Sequence, residues 1–277
     1  MKTKIYSLAI FLLTAAATVL RSLCLLTRYE PNLGHLQPGS LSIATAVLLA
    51  VGVLVCIASI WIFPQATFPQ GTLTGSRTRA GWAILYLLSA ACCFFSGLYF
   101  LANRASNSIV IYILIGVFSI SFAMFFLVNC SQDATKSATA STVLSPWLCL
   151  AGILALIFLL ASSYFDMTVA LNGPFAAPFY FSIIFACLFL LAEARVYAGQ
   201  PSSRLHPALT YAAFFLSTSV GISNLIFSLL GDAANGISIA EPARALLLLS
   251  IPFASAARLL HLGQPTVSAE QKQEFAE

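Results

Sequence analysis

The chain of 277 residues is 60% hydrophobic and only 8% charged, with a net charge of +4 and a mean hydropathy of +0.93. A soluble domain carries about 25% charged residues, so this composition excludes a water-soluble globule and makes lipid the solvent. The 13 basic residues are scattered, and no cluster could track a phosphate backbone, which argues against a nucleic-acid partner.

A helix needs roughly 20 apolar residues to cross the hydrocarbon core. Eight stretches reach that length, at about 5–27, 41–63, 81–102, 109–129, 143–165, 175–194, 208–230 and 243–262. None alternates apolar and polar as a barrel strand does, so all read as helices. The expected fold is all-α, a polytopic transmembrane helical bundle over residues 1–262, followed by a short cytoplasmic tail at 263–277. The connections are short; Pro64–Ala80 is the longest.

Span 1 begins MKTKIYSLAIFLLTAAATVL, which has the lysines, apolar stretch and small residues of a signal peptide. Apolar character resumes after Arg21 with SLCLLT, so the segment reads as an uncleaved first helix; cleavage would leave seven spans. Thr14, Thr18, Arg21 and Arg28 share one helical face. An arginine at a span centre costs roughly 2.5–3.5 kcal/mol, and less nearer the interface. Two readings stay open: Arg21 snorkels outward and anchors its helix, or it faces a polar outer vestibule. The acids at its level that could pair with it are Asp166 and Asp232.

Span 2 carries the row Ser42, Thr45, Gly52, Cys56 and Ser59, and span 4 carries Tyr112, Gly116, Ser119 and Ala123. Both read as helix-contact faces. Beyond span 5, Asn172-Gly173-Pro174 is a turn signal, because glycine admits φ > 0 and proline cannot continue a helix interior. RYEPNLGHLQPGS after span 1 and SYFDMTVALNGPF after span 5 echo one another, which would make parallel halves of four helices each.

Glu193 and Arg195 close span 6, while Arg258 and His261 close span 8; Glu193 beside Arg258 would form an inner ion pair. On span 7, Ser217, Gly221, Asn224, Ser228 and Asp232 fall on one face, with Asn224 the deepest strongly polar side chain. Pro252 lies in the middle of span 8 and should kink it. The loop YFDMTVALNGP and the following LLAEARVY resemble a passage in uncharacterised bacterial multi-pass membrane proteins, over roughly Tyr164–Tyr197. That resemblance implies a bacterial plasma-membrane setting and no chemistry.

With the N-terminus inside, Lys2, Lys4, Arg77, Arg79, Lys136, Arg195, Arg204, Arg258 and Lys272 fall on the cytoplasmic side, against Arg28, Arg104 and Arg244 outside. Both termini are therefore expected to be cytoplasmic. The seven cysteines show no CxxC or Cys/His spacing and read as packing residues, with no metal or cofactor implied. His35, His206 and His261 lie in loops or at span ends and share no expected site. HExxH, GxSxG, Walker A and paired intramembrane carboxylates are absent from the sequence.

The leading expectation is thus a non-enzymatic membrane protein that offers a small solute an outward-facing polar pocket built from Arg21, Asp166, Asn224 and Asp232, as a transporter-like or sensor-like module. The alternative is a structural or partner-binding subunit of a membrane complex. The lipid bilayer is the common partner of both.

Overall fold

A computed structural model of the chain describes residues 2–30, 35–37, 39–62, 76–103, 109–135, 141–164, 176–198, 200, 204–230 and 241–261. Among them eight helices follow the expected spans: α1 Lys2–Arg28, α2 Ser40–Ile62, α3 Ser76–Ala102, α4 Ile109–Thr135, α5 Ser141–Tyr164, α6 Ala176–Tyr197, α7 His206–Leu230 and α8 Pro242–His261. Each is long and apolar enough to cross a membrane. The protein is an all-α, multi-pass helical bundle. Large apolar side chains such as Ile43, Leu54, Trp61, Val110 and Trp147 point outward, where lipid can cover them.

Two boundaries differ from expectation. α3 starts at Ser76, inside the stretch read as a connection, and α4 runs on to Thr135. Backbone hydrogen bonding need not stop where hydrocarbon stops, so a helix can continue through polar residues beyond the apolar window. The stretch after span 1, read as plain loop, holds two short antiparallel strands, β1 Tyr29–Glu30 and β2 His35–Leu36, with Tyr29 opposite Leu36.

α3–α8 close into a ring in which α8 packs on both α3 and α7, while α1 and α2 pack against each other and against α7. Helices pack both within and across the four-and-four division that the sequence echo would make, α3 on α4 and α7 on α8 within it, α3 on α8 and α4 on α5 across it. α8 passes through Pro252 as one helix. Within the ring, Gly97 and Gly116 let α3 and α4 meet closely: a Cβ at either would sit 3.0 Å from the other's carbonyl oxygen. Gly52 on α2 plays a similar part, because a Cβ there would lie 2.1 Å from the Phe215 ring of α7. The span 2 row indeed faces protein, with Thr45, Gly52, Cys56 and Ser59 all buried.

Helix direction follows from the cross-bonds. Ser7 Oγ meets Tyr211 Oη at 2.8 Å and Arg21 meets Asn224, so α1 and α7 run parallel. Ser89 Oγ donates to the Ser250 carbonyl and Ser96 Oγ to the Ala243 carbonyl, at 2.9 and 2.8 Å, so α3 and α8 run antiparallel. The start of α1 and the end of α8 consequently lie at one end of the bundle, here the first end. The end of α1 and the start of α8 lie at the second.

Candidate functional site

Arg21 projects inward from α1 and is 2% exposed. It does not snorkel: Arg21 Nη2 donates to Asn224 Oδ1 of α7 at 3.3 Å. The polar residues on its face are occupied locally, Thr14 Oγ1 donating to the Ile10 carbonyl and Thr18 Oγ1 to the Thr14 carbonyl, each at 2.7 Å. Such back-bonds quiet a hydroxyl inside an apolar helix, and they leave recognition of the guanidinium to other helices. Arg28, placed on the same face by spacing, is exposed.

Asn224 is 1% exposed, and its Nδ2 has no hydrogen-bond partner among the described residues; the same holds for Ser217 Oγ, two turns earlier on the same side of α7. Buried polar groups normally find partners, so this seam retains donor capacity. Asp166, Asp232 and the turn Asn172-Gly173-Pro174 lie outside the described residues.

At the first end of the bundle the structure brings Glu193 and Arg258 together, at 2% and 6% exposure. Arg258 Nε donates to Glu193 Oε1 and Oε2 at 2.9 and 2.8 Å, and Nη2 donates to Oε2 at 2.5 Å. This is a bidentate charge-assisted pair, the strong form of the interaction. Tyr197 lies under the guanidinium, 5.2 Å from ring centroid to Cζ.

His206, at a span end as expected, joins this pair, a role the sequence reading did not give it. It is fully buried, and its Nε2 lies 2.9 Å from Glu193 Oε1. The short α6–α7 connection brings the first residue of α7 back to the last turns of α6, next to α8.

The second end holds a group that sequence reasoning missed. Arg244, which the sequence places only on the outer side at the start of span 8, sits in the first turn of α8 at 1% exposure, the bulkiest of the fully buried side chains among the described residues. Nη1 donates to Ser163 Oγ at 2.6 Å and Ser162 Oγ at 3.1 Å, both on α5. Nη2 donates to Tyr112 Oη of α4 at 3.3 Å, and Nε to Glu241 Oε2 at 3.3 Å. A signal was available: Glu241 and Arg244 at i, i+3, with the Ser162-Ser163 pair and Tyr112 at matching span ends. Tyr112, on the span 4 row read as a helix-contact face, also packs edge-on against Phe100 of α3.

Fold and polar groups together define a multi-pass helical membrane protein with buried arginines near both ends of its bundle. No family model, curated protein or solved structure matches this chain.

Proposed function

We propose that this is a non-enzymatic membrane module that binds a small polar solute in the seam between α1 and α7, as transporters and sensors do. The supporting observation is the buried Arg21–Asn224 contact, on the same side of α7 as Asn224 Nδ2 and Ser217 Oγ, whose hydrogen-bonding capacity is unfilled among the described residues. In lipid, an intramembrane ionisable group facing the bundle interior is a functional hypothesis by default. The resemblance around Tyr164–Tyr197 and the excess of basic residues on one side support a bacterial plasma membrane with both termini cytoplasmic.

Substituted-cysteine accessibility tests the reading. In a variant lacking native thiols, Ser217→Cys and Asn224→Cys should react with a small water-soluble thiol reagent added from outside, because water must reach the seam for a solute to do so. Leu216→Cys, one residue away on α7, is the control and should react more slowly. Failure of both seam positions to react would overturn solute binding and favour the structural or partner-binding subunit.

A further inference from the structure

The bundle carries a second polar group at its second end, on α4, α5 and α8, separate from the α1–α7 seam. We propose that Arg244, with Tyr112, Ser162 and Ser163, is a binding site for a carboxylate-bearing solute, and that Glu241 occupies it as a tethered stand-in when the solute is absent.

Arg258 shows how this protein neutralises a buried arginine completely: both oxygens of one carboxylate, at 2.5–2.9 Å, on Nε and Nη2. Arg244 is treated differently. Among the described residues, the one carboxylate it touches reaches only Nε, at 3.3 Å, through a Glu241 side chain that is 26% exposed against 1% for Arg244. Its end-on fork, Nη1 and Nη2, faces neutral hydroxyls. That fork is the geometry that grips a planar carboxylate with two parallel bonds. Hydroxyl dipoles can hold a guanidinium in place, but they bring no negative charge to a low-dielectric site.

The hydroxyls suit an exchange. Ser162 and Ser163 also donate to the Leu159 carbonyl, at 2.8 and 2.9 Å, so they stay satisfied if the guanidinium turns to a ligand. The Tyr112 hydroxyl accepts from Arg244, and its own proton has no acceptor among the described residues. A carboxylate seated on the fork would supply one. The site thus combines a cation, a spare donor beside it, and an acid exposed enough to move away as the solute arrives.

Thermal melts of the intact protein in a nonionic detergent, at constant ionic strength, test this with sodium acetate as the probe and sodium phosphate as the comparison. Acetate should raise the melting temperature saturably. Glu241→Gln removes the internal competitor and should lower the half-saturating acetate concentration by about threefold or more, since an occupied site weakens apparent affinity by the fraction that is open. Tyr112→Phe should raise it by about tenfold, the usual effect of losing one hydrogen bond to a charged group. Both variants keep Arg244, so the test does not depend on an arginine variant folding. No saturable shift in either wild type or Glu241→Gln would overturn the proposal. So would an unchanged or weaker response in Glu241→Gln, or stabilisation by phosphate and not by acetate. None of these outcomes bears on solvent access to the α1–α7 seam.

Discussion

Arg258 and Arg244 stand on the same helix, 14 positions apart, and both are almost fully buried. At about 1.5 Å per residue they are some 21 Å apart along α8, near opposite ends of the bundle. Arg258 is closed by a carboxylate one of whose oxygens also meets His206, and an aromatic ring lies beneath it. Arg244 is held by three hydroxyls and the edge of one partly exposed acid. The first cluster ties α6, α7 and α8 together with its charges matched. The second leaves positive charge only partly answered where α4, α5 and α8 meet. One residue type therefore serves two ends differently, according to whether the described residues supply it with a full-strength anion.

The largest expected effect lies in the matched cluster. Glu193→Leu would strand both Arg258 and His206, and breaking a buried pair from one side costs about 3–5 kcal/mol. Thermal unfolding in detergent should show a marked loss, with the Glu193→Leu/Arg258→Leu double variant recovering much of it. Simple additivity of the two single losses would mean that the pair is not a coupled unit.

His206→Leu comes next. It removes one hydrogen bond to the carboxylate and leaves the bidentate arginine, so a loss of about 1–2 kcal/mol is expected in the same melts. A loss as large as that of Glu193→Leu would make the histidine an equal member of the lock.

Arg244→Leu should cost less, about 1 kcal/mol or under, because the serines keep the Leu159 carbonyl and an apolar side chain replaces an incompletely matched ion. A loss matching that of Glu193→Leu would erase the contrast between the two ends and make Arg244 a structural tie.

The smallest effect on stability is expected from two labels that orient the comparison. In a thiol-free variant, exposed Asn103→Cys at the end of α3 should be reached by an impermeant reagent from outside, and exposed Arg204→Cys before α7 only from the cytoplasm. The opposite pattern would invert the bundle and place the Arg244 cluster on the cytoplasmic side.

Composition and run length alone determined the helix number and class, because in lipid every backbone polar group must be satisfied within its own segment. They also marked Arg21, Asn224, Glu193 and Arg258 as costly in that solvent. Which polar groups meet depends on helix neighbours, and spacing within one span cannot report those. Only the tertiary structure, with α7 lying against α1, turned Arg21 to Asn224 instead of outward to the interface. The return of α7 onto the end of α6 made His206 a partner of Glu193. The closure of α8 into the ring brought Arg244, at the start of the expected span 8, in among Tyr112, Ser162 and Ser163, residues from spans far apart in the chain. The physical reason is that hydrophobicity decides which segments leave water, whereas matching of shape and charge between helices decides which faces they share once they are there.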